Sequence, residues 1–344
     1  MCELLGLSFN QPVEMDISFS ILRARSRRNL DGWGMAWFGE DALLRLIKEP
    51  VPAHESELAR KLLYRSTIKS NIFISHIRMA SSGGVNYLNT HPFYRQVNRQ
   101  IWVLAHNGTV NGLDDSRNSG FVPIGGTDSE LLFCHLLSWI QGQTTTSGRQ
   151  FNESLAAKLR ELNVYGSTNL LFTNGKRLYA YRDANGYNGL CCLKRQAPFP
   201  TTRLRDTEIE ARLGDIKDPS EEGWIVATRP LTDEPWAAMK PGELMVFSAG
   251  KRVFRSTTFA THDRSAEEIA LLRALRKSPH KLSLRQLEME LKQTSDKILV
   301  TLNFLFKKGL IRQEKRDGVP ADHPDATFYT VAACEREIDE LIRL

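Results

Sequence analysis

Short apolar runs separated by polar or glycine-bearing stretches dominate the first three quarters of the chain, and their length predicts buried strands. Asn71-Ile72-Phe73-Ile74-Ser75-His76-Ile77 and Ile101-Trp102-Val103-Leu104-Ala105 are two such runs. Asn169 to Thr173, Leu178 to Tyr181, Trp224 to Ala227 and Leu244 to Phe247 repeat the pattern. Apolar residues at helical spacing predict helices near Glu55 to Tyr64, Ser129 to Trp139 and Phe151 to Leu162. Strands and helices do not alternate regularly, which disfavours a doubly wound parallel sheet. Gln143 to Gly148 reads as an exposed loop and Pro198 to Asp218 as a longer surface segment.

After Thr257-Thr258 the pattern changes. Ser265 to Lys277, Ser283 to Lys292 and Ser295 to Lys308 predict three helices, with Leu271, Leu272, Leu275, Leu284, Leu287, Leu291, Ile298, Leu302 and Leu305 at core spacing. Gly309 stops the third. Leu310 to Lys315 and Thr327 to Val331 can pair as strands around a turn at Gly318-Val319-Pro320. This order resembles a winged helix-turn-helix. The expected organisation is therefore one domain over 2–258 and a small winged-helix-like one over 264–344.

Length and composition fit that division. With 344 residues, 41% of them hydrophobic, the chain can bury a sizeable core. No apolar run approaches the roughly 20 residues needed to span a membrane, and Met-Cys-Glu-Leu-Leu-Gly-Leu lacks the basic and long apolar regions of a secretion signal. Five cysteines without Cys-x-x-Cys spacing argue against a disulfide framework or a zinc site. Adjacent Cys191 and Cys192 read as packing residues. The eight histidines show no ligand-like grouping, so neither metal nor cofactor is expected. A reducing cytoplasm is the expected compartment. From Ser265 onward, 14 Lys and Arg stand against 13 Asp and Glu. DNA affinity is built largely on neutralised phosphates, and Asp296 near the start of the third helix would repel them. Lys297, Lys307, Lys308, Arg312, Lys315 and Arg316 could form a basic edge, but the balance favours protein contact or dimerisation over nucleic acid.

Candidate chemistry starts at Cys2. A methionine before a small side chain is usually removed, which would place thiol and amine on one residue. An adjacent base activates a nucleophile, and an α-amine of pKa about 7.7 to 8.0 suits proton transfer near neutral pH. Amide hydrolysis also needs donors for an oxyanion. Asn107-Gly108, after a predicted strand, reads as a sharp turn where a side-chain amide and a backbone N–H converge, although Asn-Gly is equally a plain hairpin signal. Arg78, after another predicted strand, has the planar fork that grips a carboxylate. Thr127 or Asp128 can cap the helix that follows, and Asp128 can at the same time face a ligand.

Five segments occur in one order: Met-Cys-Glu-Leu-Leu-Gly at the start, Asp31-Gly32-Trp33-Gly34, Ser75 to Gly83, Ala105-His106-Asn107-Gly108 and Gly126-Thr127-Asp128-Ser129-Glu130. In them the chain, from Cys2 to about Thr258, resembles the class II glutamine amidotransferases, which are N-terminal-nucleophile amidohydrolases, and among these the small stand-alone bacterial members. Val226 to Thr232 and Met239 to Glu243 fit the same likeness. The resemblance implies an α+β fold, a four-layer αββα sandwich. It implies Cys2 as nucleophile, Asn107 and Gly108 as oxyanion hole, and Arg78 and Asp128, with Thr127 and Ser81, on the amino-acid end of glutamine or another γ-glutamyl compound. His106 and the Asp31 to Gly34 segment would shape the pocket, the latter being equally readable as a glycine-flanked aromatic in a strand.

Three positions depart from the family pattern. Met79 replaces a frequent aromatic, and Ser81 and Ser82 replace the threonine and histidine of synthase-linked members. Nothing after Thr258 resembles a synthase, so ammonia is expected to be wasted, passed to a separate protein, or not to be the product at all. The competing expectation is a protein that senses glutamine and acts on DNA or a protein partner through its C-terminal module. Self-association as a homodimer is compatible with either.

Overall fold

Directly after Cys2 the chain enters a long strand, β1 (Glu3–Glu14), near the middle of a seven-stranded sheet. The computed structural model describes residues 2–65, 68–113, 120–207, 209–256, 266–278, 280–307, 311–315 and 327–331. They fall into two compact parts, Met1–Thr258 and Phe259–Leu344. The first part runs β1, α1 (Asp16–Arg25), β2 (Trp33–Phe38), β3 (Leu44–Glu49), α2 (Glu57–Arg65), β4 (Lys69–Ile77), β5 (Phe93–Val97), β6 (Gln100–Val110), α3 (Asp128–Gln141) and α4 (Arg149–Leu162). It continues β7 (Gly166–Thr173), β8 (Leu178–Tyr181), β9 (Cys191–Gln196), β10 (Thr201–Arg203), β11 (Glu210–Arg212), α5 (Leu213–Ile216), β12 (Glu222–Ala227), β13 (Ala237–Ala238), β14 (Leu244–Ser248) and β15 (Lys251–Arg255).

The larger sheet has the order β13-β9-β12-β1-β4-β2-β3, and a six-stranded sheet has the order β15-β14-β8-β7-β6-β5. All their pairings are antiparallel. Side chains alternate across a strand, and β1 uses both faces. Leu5, Leu7 and Phe9 pack with Phe19 and Leu22 of α1 and Ala59 of α2. Leu4, with Ile74 and Val226, instead meets Ala105, Leu171, Ala180 and Phe247 of the second sheet. On the outer face of that sheet Trp102, Leu104 and Phe172 pack with Leu132 and Leu136 of α3 and Leu155 and Leu159 of α4. The layers are thus helix, sheet, sheet, helix. Gly6 permits the close approach between sheets, since a Cβ there would lie 3.1 Å from the Leu171 and Leu178 side chains.

Strands expected from apolar runs form within a few residues of the expected limits. Helix α2 begins at Glu57 rather than Glu55 because the Ser56 hydroxyl accepts the Ala59 N–H at 2.9 Å, capping the helix there. One expectation is overturned: β6 does not turn at Asn107-Gly108. It runs on to Val110, with Gly108 opposite Thr168 and Val110 opposite Gly166 on β7. Glycine serves close approach here, since a Cβ at Gly108 would sit 1.9 Å from the Ser167 carbonyl oxygen. The surface segment from Pro198 to Asp218 carries the β10–β11 hairpin and α5. Cys191 and Cys192 are both buried in β9.

The second part contains α6 (Ala266–Lys277), β16 (Leu282–Ser283), α7 (Leu284–Leu291), α8 (Ser295–Lys307), β17 (Ile311–Lys315) and β18 (Thr327–Val331). A capping box between Ser283 and Gln286 starts α7. Leu271, Leu272, Leu275, Leu287, Ile298, Leu302 and Leu305 form one core, with Leu284 and Leu291 packed against it. The small sheet has the order β16-β18-β17, with Ile311 opposite Val331 and Lys315 opposite Thr327. Gly309, the Gly318-Val319-Pro320 turn, Thr257, Thr258, Ser265, Lys308, Leu310, Arg316 and Cys334 lie outside the described residues, as do the side chains of Asp296, Lys297 and Lys307. Among the described residues no helix is long and apolar enough to cross a membrane.

Phe172 is fully buried and stacked 4.7 Å from Tyr179 beneath the α3–α4 layer. Phe172→Ala is expected to cost about 3 to 5 kcal/mol of stability, measured by guanidinium unfolding of the full chain. A loss below about 1 kcal/mol would contradict this layer assignment.

Candidate active site

Cys2 is held from both sheets. The Cys2 thiol lies 3.3 Å from the Met79 carbonyl oxygen, to which it can donate, and its sulfur accepts the Met79 N–H at 3.2 Å, just beyond β4. From β6, the Asn107 side-chain amide donates to the Cys2 carbonyl at 2.8 Å. Burial pushes the thiol pKa up, while the Met79 hydrogen bond, the positive amino terminus and Arg78 pull it down.

Arg78 ends the run that begins with β4, and its backbone N–H donates to the Gly32 carbonyl at 2.7 Å. Its guanidinium is buried and donates to the carbonyls of Ser82, Gly83 and Gly84 at 3.0, 3.3 and 3.2 Å. Burial lowers its pKa, opposed by the neighbouring Asp31, Cys2 and Asp128. Asp31 accepts the Ala80 N–H at 2.7 Å, pinning the segment that follows Arg78. Ser81 accepts a hydrogen bond from the Thr109 hydroxyl at 3.1 Å.

The two readings at the start of α3 separate cleanly. Thr127 is the cap, its hydroxyl accepting the Glu130 N–H at 3.2 Å. Asp128 instead reaches sideways and accepts the Val110 N–H at the end of β6, at 2.8 Å. His106 lies on the helix-facing side of β6, its Nδ1 2.8 Å from the Ser129 hydroxyl and its Nε2 3.0 Å from the Ser167 carbonyl. A carbonyl only accepts, so Nε2 carries the proton and Nδ1 accepts from Ser129. Burial lowers the His106 pKa and keeps this neutral tautomer.

Not every residue of the expected site gathers at Cys2. Trp33 points into the core with Phe19, at a centroid distance of 5.5 Å, and its indole N–H donates to Glu49. Gly34 is a close-approach position, where a Cβ would lie 2.2 Å from the His91 carbonyl oxygen. Gly32 has a positive φ of 133°.

Three residues outside the sequence reading support Asn107 from behind. Asn169 on β7 faces it in register and donates to the Tyr187 carbonyl at 2.8 Å. Buried Asp183 accepts from Thr168 N–H at 2.9 Å, Asn163 at 2.7 Å and Tyr187 N–H at 2.8 Å. This places the Tyr187 segment beside the site, and the phenol pKa is raised by burial, with Cys2 and Asp183 adding to it. The available signal was the polar Asn169 at the head of the apolar run Leu170-Leu171-Phe172. Among the described residues no three His, Cys, Asp or Glu side chains gather as a metal site.

Two facing antiparallel sheets between helix layers, with a cysteine at the head of a central strand, define the architecture of an N-terminal-nucleophile hydrolase. The chain belongs to the class-II glutamine amidotransferases, whose family profile matches residues 1–272. It is 39% identical over 350 residues to an uncharacterized protein of Methanocaldococcus jannaschii, covering 100% of this chain and 97% of that one. YafJ of Escherichia coli is 36% identical over 263 residues, covering 74% of this chain and 100% of its own. A crystal structure described as that of a predicted glutamine amidotransferase from Pseudomonas aeruginosa superposes with a TM-score of 0.53 at 26% identity, over 74% of this chain and 100% of that one. These relationships indicate an enzyme that acts on amides.

His76 and His91 lie with ring centroids 4.3 Å apart at a tilt of 55° and are buried beside this site. Burial pushes His76 down to about 3 and His91 well below its ordinary value, with Arg78 and the neighbouring imidazoles adding to it. Unfolding lets each take up a proton below about 6.5, so the unfolded state binds more protons and stability falls as pH drops from about 6.5 toward 3. Between pH 7 and pH 5 each histidine is expected to remove about 2 kcal/mol, read from urea unfolding at the two pH values. Equal stability at both would contradict a neutral buried pair.

Proposed function

We propose that the protein hydrolyses a γ-glutamyl amide, glutamine or a γ-glutamyl metabolite, through a thioester on Cys2. In this reading Met1 is removed and the freed α-amine accepts the thiol proton as sulfur attacks the γ-carbonyl. The oxyanion is held by the Asn107 amide and the Gly108 N–H. Collapse of the tetrahedral intermediate breaks the C–N bond, and the α-ammonium returns the proton to the leaving amine. Water then attacks the thioester by the same proton route and releases a γ-carboxylate. The contact that carries this reading is the Asn107 amide, 2.8 Å from the Cys2 carbonyl oxygen, which puts an amide donor within reach of the reacting sulfur.

Arg78 and Asp128 take the α-carboxylate and α-ammonium of the substrate. The Arg78 fork is closed by the carbonyls of Ser82 to Gly84, so substrate entry exchanges those carbonyls for a carboxylate, a stronger charge-assisted acceptor. Thr127 and Ser81 line the same end through α3 and the segment after Arg78. The proposed organisation is a catalytic domain over 2–258 and a winged-helix-like module over 264–344 that contacts a protein partner, in a cytoplasmic enzyme. Intact Cys2, Asn107, Gly108, Arg78 and Asp128 together favour turnover over sensing alone.

The direct test is intact mass after incubation with 6-diazo-5-oxo-norleucine, with Cys2→Ala as control. One adduct on a chain lacking Met1, absent from the control, is expected; retained Met1 without adduct would overturn the proposal. Asn107→Ala is expected to lower kcat on glutamine by about 10²- to 10³-fold, while Arg78→Lys acts chiefly on KM because it loses the fork. Steady-state kinetics over a glutamine series separates the two, and an unchanged kcat in Asn107→Ala would remove it from the oxyanion site.

A further inference from the structure

Two large cavities of the described residues adjoin one another away from the Cys2 cleft. One, of about 580 Å³, is lined by Arg203, Arg205, Asp206, Thr207 and Asp233. The other, of about 470 Å³, is lined by Arg25, Arg27, Arg28, Arg229 and again Asp206 and Thr207. Six guanidinium groups therefore line one concavity, against the carboxylates of Asp206, Asp233 and, just behind, Glu3.

The carboxylates are already engaged. Glu3 is shared by Arg25 and Arg229, Asp206 accepts from Arg25 Nε at 2.8 Å, and Asp233 accepts from Thr202 and the Arg203 N–H at 2.5 and 3.0 Å. Arg205 donates to the Thr232 carbonyl at 2.9 Å. Arg27 and Arg28 are exposed and form no ion pair with any described residue. The Arg25 hydrogen bond holds the Asp206 carboxyl below the usual range, and the charges of Arg229 and Arg28 add to this, which places both beside it. Arg25 fixes the geometry from below: it is buried, pairs with Glu3 and also donates to the Pro230 carbonyl at 2.6 Å, joining α1, β1 and the segment after β12.

We propose that this arginine-lined concavity is a binding site for a small phosphate-bearing molecule. Cavities of this size hold a metabolite rather than an extended polymer. Guanidinium forks match phosphate oxygens in pairs, and Arg27 and Arg28, exposed beside Arg25 and Arg229 in one concavity, call for an anion carrying two or more charges. The site is separate from the Cys2 cleft. Glu3 lies on the helix-facing side of β1 with Arg25 of α1, whereas Cys2 is clasped by Asn107 of the opposite sheet, so the larger sheet stands between them. The ligand is thus a second molecule and not an extension of the amide substrate.

The experiment is titration calorimetry of the full chain with pyrophosphate at low salt, repeated on Arg27→Glu/Arg28→Glu and on Arg149→Glu/Lys251→Glu as a control of equal charge change elsewhere. Loss of a charge-assisted hydrogen bond is worth about tenfold or more in Kd. Binding that weakens at least about tenfold in the first variant and stays within about twofold in the second is expected. Absent binding to the parent chain, or equal weakening in both variants, would overturn the site. Citrate binding as tightly as pyrophosphate would overturn the phosphate assignment, and a single-stranded oligonucleotide binding more tightly would overturn the small-molecule reading. Cys2→Ala should bind pyrophosphate unchanged, so this result stands or falls independently of the amidohydrolase proposal.

Discussion

The hydrogen bond from Asn107 to the Cys2 carbonyl crosses from one sheet to the other, and the site depends on that crossing. A cysteine ahead of a strand would otherwise fray, as chain ends do. Here it is fixed by Asn107 from the second sheet and by Met79 from the first. Asn107 is itself constrained, because β6 and β7 stay paired through Gly108 to Val110 and the Asp183–Asn163–Asn169 network occupies the polar groups behind them. A buried network of this kind is stabilising only when each member is satisfied.

Close approach of neighbouring backbone accounts for two glycines that look like turn signals. Gly108 and Gly34 both lie where a Cβ would collide with a carbonyl oxygen of a neighbouring segment. Asn-Gly is a hairpin signature only where the strand ends, and at Asn107-Gly108 the chain continues into a paired strand. The same dipeptide therefore carries a different meaning, set by the strand across from it, which is 60 residues distant in sequence and invisible to a local reading.

Much of the rest was legible. Apolar runs located β4, β7, β8, β12 and β14, and leucine spacing located the core of the second part. Strand β1 was not expected as a strand although it lies near the centre of its sheet. Its residues are buried on both faces, Leu5 and Leu7 against helices and Leu4 and Gly6 against the other sheet, so it lacks the polar alternation that marks a half-buried strand. Cys2, Arg78, Asn107 and Asp128 were named from motifs, whereas Asn169 and Asp183 act through partners whose proximity only the fold creates. Trp33, flanked by site-like glycines, packs inward because its strand position shares a face with Ile77 and Phe19.

The residue after Cys2 links two otherwise separate regions. Glu3 is buried, and a buried carboxylate needs compensating charge; Arg25 and Arg229 supply it from α1 and from the segment after β12. Those two arginines are also part of the wall of the basic concavity. The ion pairs thus hold the start of β1 against the layer outside it, just as Asn107 holds Cys2 against the sheet inside it. Since successive side chains of a strand point to opposite faces, Cys2 and Glu3 can serve two sites on two sides of one sheet, with the strand itself as the only element common to both.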